Sequence, residues 1–520
     1  MANKHLFASI VGKLLPRPDA QNEAGGPAYA LTPRHTLAQF AATGTLNRSY
    51  YAEAQNQLDD VLLTALDVDP AFIAKTAVYA RRRGHMKDMP ALLLALLSTL
   101  QTDDFAKAFP RVIDNGKMLR SFVQIMRSGA VGRKSLGSRP KRFIANWLEE
   151  ASDLEIMRAA VGQDPSLGDV IKMIHPRPRT KEREALYGYL IGKPYDVAAL
   201  PRIAREFEAF KQDPSKKPPD VPFQMLTALP LTKEHWAAIG GKAGWHMLRM
   251  NLNTFARHGA FEVSWFPRKV AARLRDAAEI KRARVFPYQL MAAYAATDAK
   301  VPAMVREALQ DAMEIAVSNV PRVNGRVVVC PDVSGSMSSS ITGNRKGVTS
   351  KVRCIDVAGL VAAAFVRTNK KARVLPFDFD VVDLHLNPRD SVMTNAQKLA
   401  SIGGGGTNCS APLARLVSER ARVDLVVMIS DNESWIDACQ AGRGTATMEM
   451  WQKLKRLNPD AKLVCIDIQP YATTQAAERA DILNVSGFSD AVFEMIDAFA
   501  TGALDAAHWV GEIEKIDLGD

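Results

Sequence analysis

Apolar residues recur at spacings of three and four through most of the first 320 positions, and that period predicts amphipathic helices. The pattern runs over 52–65, 71–83, 90–100, 140–150, 201–211, 221–229, 265–280, 286–296 and 302–319. Turn signals separate these stretches, among them Asp67-Val68-Asp69-Pro70 and His175-Pro176-Arg177-Pro178. Residues 211–222 (KQDPSKKPPDVP) read as an exposed loop. No credible run of alternating strand positions occurs in this part. Many short helices on short loops suggest a solenoid of helical pairs, although no sequence period marks a repeat.

The pattern changes near Pro321. Short β-branched runs, RVVVCPD (326–332), ARVLPFDF (372–379), VDLVVMISD (423–431), AKLVCIDI (461–468) and ILNV (482–485), alternate with helical stretches at 352–369, 394–400, 411–420, 446–457 and 489–500. Apolar strands alternating with helices predict a doubly wound α/β domain with a mostly parallel sheet. The expected organisation is multidomain, with an all-α helical-repeat module over 1–320 and an α/β domain over 321–520.

At 520 residues, with 47% hydrophobic and 24% charged positions, the composition excludes a disordered or fibrous chain. The net charge is +11 and is unevenly spread. Residues 1–320 carry 45 Lys+Arg against 32 Asp+Glu, while the last 200 carry 22 against 24. A basic first part favours a polyanion, with nucleic acid foremost. All five cysteines (Cys330, Cys354, Cys409, Cys439, Cys465) lie in the second part without a C-x-x-C pair, which suggests free thiols in a reducing compartment. Residues 1–16 have a weak signal-like character, but Lys13 interrupts the apolar stretch and no clean cleavage site follows. The longest leucine-rich run, 91–97, is too short to span a bilayer. The expectation is a soluble cytoplasmic protein without membrane association.

In doubly wound folds, ligands sit beyond the carboxyl ends of the strands. Here those ends carry Asp332-Val333-Ser334-Gly335-Ser336, then Gly403–Thr407 (GGGGT), then Asp431. Two carboxylates and the hydroxyls of Ser334, Ser336 and Thr407 form an oxygen set suited to Mg²⁺ or another hard divalent cation. With only two carboxylates the ion would stay net positive and could take an acidic residue or phosphate from outside. A lone D-x-S-x-S is also an ordinary helix-capping turn; the threonine and second aspartate, in order, favour the metal reading. The glycine run lacks the following Lys and Ser/Thr of a phosphate loop. Cys409 has no neighbouring histidine to make it a nucleophile. A metal-dependent nuclease would want more clustered carboxylates than these, so no enzymatic activity is expected.

Asp332, Ser334, Ser336, Thr407 and Asp431 resemble the metal-ion-dependent adhesion site of the von Willebrand factor A fold. The string Ser430-Asp431-Asn432-Glu433 is more particular and resembles the Ro autoantigen family, in which an A domain follows a helical TROVE module. Ala42-Thr43-Gly44-Thr45 with Tyr50-Tyr51, 137–147 (GSRPKRFIANW), 169–178 (DVIKMIHPRP), 245–259 (WHMLRMNLNTFARHG), 287–290 (PYQL) and 487–499 (GFSDAVFEMIDAF) extend the likeness from about Tyr29 to Phe499. The chain is most similar to bacterial members.

The resemblance implies a HEAT-like helical ring closed by the A domain. It implies binding of small structured non-coding RNAs of the Y RNA class on a basic outer surface. Single-stranded ends of misfolded or unprocessed RNA would enter the ring hole, and bacterial members associate with exoribonucleases in RNA quality control. The residues suit this. Nine basic residues lie between Arg111 and Arg142 against the single acid Asp114, Arg133, Lys134, Arg139, Lys141 and Arg142 among them. Arginine suits phosphate contact and base stacking. A second cluster comprises Arg268, Lys269, Arg273, Arg275, Lys281, Arg282 and Arg284. Lys141 and Arg142 match the family's paired basic residues, and His175 a histidine at the following helix end. Such a histidine also serves as a cap, and charge runs are often only solvated faces. An alternative makes the A domain the working part, holding a partner's acidic residue through the ion, with the helices as scaffold.

Overall fold

In the computed structural model, the described residues are 15–283, 285, 287–317, 320, 322–323, 325–343, 352–369, 371–440, 443–487, 489–504 and 507–519. Most of the signal-like stretch, and Arg284, lie outside them. The chain divides into two compact units, and the division is not at residue 321. One unit takes in 1–72, 285–292 and 313–517; the other takes in 73–284, 293–312 and 518–520.

The first unit is built on a parallel sheet. Strands β3 (Val327–Pro331), β4 (Arg373–Val374), β5 (Leu425–Ser430), β6 (Lys462–Asp467) and β8 (Ile482–Ser486) stand in the order β4-β3-β5-β6-β8. Every residue of β3, β5 and β8 is buried, which explains their continuous apolar character. Cys330, Val426, Met428, Leu463 and Cys465 face one side, where they pack with Leu413, Leu416, Trp451 and Leu454 of helices Ala411–Ser418 and Ala446–Leu457. The long buried helix Cys354–Thr368 packs against β3, β4 and helix Val392–Ala400. The expected strand 372–379 is regular only over two residues. Pro331 of β3 has no N–H to donate toward β4, and the pairing continues as separate bonds, from Leu375 N to Val329 O and Phe377 N to Pro331 O.

The strands absent from the sequence reading lie at the start of the chain. Strands β1 (Ala20–Gln21) and β2 (Pro27–Ala30) form a short antiparallel pair, and β2 pairs with β7 (Thr473–Thr474) through Tyr29↔Thr474. Helix Pro33–Thr43 follows and packs on β8. It is buried on nearly every face, so its residues show no clean helical period. This is why 1–72 joins the sheet unit.

The second unit is helical. Helix Ser138–Glu150 buries Pro140, Ile144 and Leu148, four residues apart, and turns Lys141 and Arg142 outward. Phe105, Phe109, Phe122 and Phe143 form an aromatic core beside it. Asn115, Ser152, Ser166 and Thr180 cap four helices. The expected helix 265–280 is two, Phe266–Leu274 and Ala277–Ala283, with Asp276 capping the second through Glu279 N. No helix among the described residues is long and apolar enough to cross a membrane.

Gly26 sits where a Cβ would stand 2.3 Å from the Ser434 carbonyl. Gly26→Ala should therefore destabilise the fold by about 1–3 kcal/mol, measured by chemical unfolding. An unchanged midpoint would remove this close approach from the account.

Candidate metal and nucleic-acid sites

The end of β3 and the end of β5 are neighbours in the sheet, so Asp332 and Asp431 arrive at the same edge. Asp332 N donates to Ile429 O at 2.9 Å. Asp332 Oδ1 accepts from Ser334 N at 2.8 Å, and Oδ2 accepts from Ser430 Oγ at 2.5 Å. The turn brings the Ser334 and Ser336 hydroxyls within 3.2 Å of each other. Gly335 N donates to Gly405 O at 2.8 Å and Gly404 N to Val333 O at 3.1 Å, stitching the glycine loop to the first turn. Gly404 has φ +132°, a conformation that L side chains rarely adopt. Thr407, at the end of this loop, accepts from Trp435 N and Ile436 N through its carbonyl, each at 3.2 Å. All three sequence segments therefore meet.

The five residues are buried, none more than 5% exposed. Ser336 hydrogen-bonds to Asp431, whose Oδ1 also accepts from Glu433 N at 3.4 Å. Asp431 Oδ2 has no protein partner. Burial, followed by the nearness of Asp431, pushes the Asp332 carboxyl up; burial also raises Asp431. Two carboxylates held close in a dry pocket, one oxygen unpaired, and three hydroxyls make a donor set that fits a hard divalent cation. Among the described residues no three His, Cys, Asp or Glu side chains converge as a metal-binding group. The hydroxyls are thus essential to any such site.

Asp467 and Gln39, not singled out from the sequence, complete this edge together with Asn432 and Glu433 of the 430–433 string. Asp467, at the end of β6, is fully buried and accepts from Gln39 Nε2 at 2.7 Å and from Asn432 Nδ2. Asn432 sits at φ +61°, which asparagine tolerates better than most residues. Glu433 is buried and its carboxyl is pushed up to about 9, by burial first and by Asp431 second. The acidic turn at 431–433 was visible in the sequence; Gln39 lies 428 positions from Asp467 and left no signal. Cys409 is buried and its thiol lies well above its ordinary range, chiefly from burial. Cys330, Cys354 and Cys465 are buried as well; Cys439 is exposed, and all five are free.

The basic residues fall into two groups. Arg133 donates to the Ser98 carbonyl at 2.8 Å, and Arg139 donates to the Thr102 carbonyl and Asp103, so both brace the helical unit. Lys134, Lys141 and Arg142 are exposed. His175 is exposed too and caps helix Leu167–Ile174 with φ +51°. That helix packs on Ser138–Glu150, which places the cap and the outward basic pair on adjoining elements. In the second cluster, Arg273 pairs with Glu279 and Arg275 with Asp311.

Comparison with known proteins bears on the fold. Residues 326–500 match the family model for the Ro60 vWA domain. The RNA-binding protein RO60 of Deinococcus radiodurans is 26% identical over 519 residues, spanning 93% of this chain and 95% of that protein. The chain is thus similar to Ro proteins along most of its length. RO60 of Caenorhabditis elegans is 23% identical over 246 residues, 45% of this chain and 37% of that protein. The crystal structure of the Deinococcus radiodurans RO (RSR) protein superposes with a TM-score of 0.61 at 24% identity, covering 91% of this chain and all of that one. The parallel sheet and the helices packed on it over 326–500 therefore form a von Willebrand factor A domain, carried by a mostly helical chain.

Because Asp332 is raised in the folded state, its ionisation costs stability as pH rises above the unfolded value near 4. In chelator, stability should fall from pH 5 to pH 8. Asp332→Asn should flatten that slope and stabilise the protein at pH 8 by about 1–3 kcal/mol. A steeper slope in the variant would contradict the buried-pair account.

Proposed function

We propose that this chain is a member of the Ro family and a non-catalytic RNA-binding protein. The observation that carries this reading is the outward pair Lys141 and Arg142 on helix Ser138–Glu150, beside the exposed cap His175. Among the described residues neither Lys141 nor Arg142 is held by an ion pair, and Arg142 lies over the Phe143 ring at 5.8 Å. Free cations on a rigid helix suit phosphate contact with little ordering cost. The names of the relatives support RNA as the kind of partner. Within that reading, the ligands are small structured Y RNA-like molecules on the basic face and the single-stranded ends of misfolded or unprocessed RNAs. The ribonucleoprotein then acts in RNA quality control in the cytoplasm, with an exoribonuclease as the effector. Arg133 and Arg139 support the face by holding its backbone rather than by meeting phosphate.

Asp332, Ser334, Ser336, Thr407 and Asp431 would hold Mg²⁺ or a similar divalent cation. Bound there, the ion supplies fixed positive charge at the sheet edge, offsetting the repulsion between the two aspartates. The alternative reading, in which the A domain uses that charge to hold an acidic residue of a partner, draws on the same donor set.

Charge reversal of both Lys141 and Arg142 to Glu should weaken binding of a structured small RNA. It should reduce the slope of log K against log salt by roughly 0.7–0.9 per lost phosphate contact, read by filter binding across a salt series. An unchanged slope would remove both residues from the interface. Saturating Mg²⁺ should raise the melting temperature of the wild type and leave Asp332→Ala unmoved, with the same RNA affinity in both. A Mg²⁺-dependent shift in Asp332→Ala would place the ion elsewhere.

A further inference from the structure

The cation-site residues are enclosed by the chain's own N-terminal arm. Residues 45–51 run across the loop that follows Ser336. Thr45 Oγ1 and Asn47 Nδ2 both donate to the Thr342 carbonyl at 3.0 Å. A Cβ at Gly343 would stand 2.6 Å from the Arg48 carbonyl, so loop and arm approach with no side chain between them. The Tyr471 hydroxyl meets Ser49 Oγ at 3.5 Å, and the Tyr51 ring stands edge-on to Tyr471 and to Tyr50, with centroids 6.0 and 4.7 Å away. The Tyr51 hydroxyl stands beside Ser336 and lies close enough to Asp431 and Glu433 to feel both charges. The second site loop is held similarly by the start of the arm: Asn22 Nδ2 donates to the Ser434 carbonyl at 2.7 Å, and Ala24 N to Glu433 Oε2 at 3.3 Å.

We propose that Tyr51 belongs to the cation site and closes it in cis, so that an outside carboxylate reaches the ion only when residues 45–51 lift away. This rests on the cation-site reading above. Three features favour it. The donor oxygens are shielded from solvent, yet a sixth-coordination ligand from another molecule needs an open approach. The group that fills the approach is a neutral phenol, which can donate to Ser336 and leave the two aspartates free for the ion. The cover is also lightly anchored. Its bonds to the site loop reach one carbonyl, that of Thr342, and Tyr50 beside it is 52% exposed, although Gln57 Nε2 also donates to Asn47 O at 2.9 Å from behind. Tyr51 would then act as a positioning and access residue, and the bound ion would exchange slowly in the closed state.

The test uses the full chain with Mn²⁺ as the probe. Mn²⁺ release into excess chelator, followed by electron paramagnetic resonance, should be at least ~10-fold faster in Tyr51→Ala than in the wild type, with Tyr51→Phe between them. Equal release rates in wild type and Tyr51→Ala would overturn the closure. Absence of Mn²⁺ binding, or equal binding by Asp332→Ala, would overturn the cation-site reading beneath it. A second measurement needs no metal. Hydrogen exchange of the amides in 334–343 should quicken at least ~10-fold in Tyr51→Ala if the arm is the cover. Unchanged exchange would overturn the closure whatever the metal result.

Discussion

Three aspartates, Asp332, Asp431 and Asp467, end three adjacent strands of one parallel sheet, and all are buried. Burying like charges together is costly unless each is hydrogen-bonded, protonated or neutralised. Much of the surrounding structure answers that constraint. Ser334 and Ser430 serve Asp332, Ser336 and the amide of Glu433 serve Asp431, and Gln39 and Asn432 serve Asp467. Of the six oxygens of these three carboxylates, Asp431 Oδ2 is left without a partner among the described residues, and Glu433 Oε1 and Gln39 Oε1 nearby are unpartnered too. The arrangement is nearly self-sufficient, with one position left for an added positive charge.

The helical unit answers a different problem. Its cations have to stay in water and yet be held still. Helix Ser138–Glu150 does this by burying every fourth residue and fixing the loop before it through Arg133 and Arg139. Basic residues that look alike in the sequence therefore divide by task. Those that reach backbone carbonyls maintain the shape, and those that do not are the ones free to meet phosphate. Charge density alone could not separate the two, because the division depends on which carbonyls the fold leaves within reach.

The legibility of the sequence followed the same logic. The strands of the A domain were readable because both faces of each are covered, so their apolar runs are unbroken. Asp332, Ser334, Ser336, Thr407 and Asp431 were readable because they sit in short strings at strand ends, where topology alone brings them together. The helices Asp104–Val112 and Gly116–Ser128 were legible and still missed, since Phe105, Ala108, Phe109 and Val112, and Met118, Leu119, Phe122, Val123 and Met126, recur at spacings of three and four; Lys181–Ile191 carries no such stripe. The N-terminal arm was not legible at all. Strands β1 and β2 are two and four residues long, and their partner β7 lies at the other end of the chain. Tyr51 had been noted for its likeness to a family segment, but nothing local in the sequence links it to Ser336.

The pairing of chain ends also bears on how the protein is made. Gln39 and its partner Asp467 are 428 positions apart. At about 5–20 residues per second, the arm emerges roughly 20–90 s before the strands it docks on exist. During that interval Leu37, Phe40 and Ala41, all buried in the finished protein, have no sheet to cover them. The helical unit is synthesised in between and can form from its own local contacts. Completion of the fold is therefore a late event, timed by the appearance of β6 to β8. Until then the arm is an exposed apolar segment on a growing chain, in need of shelter from its neighbours.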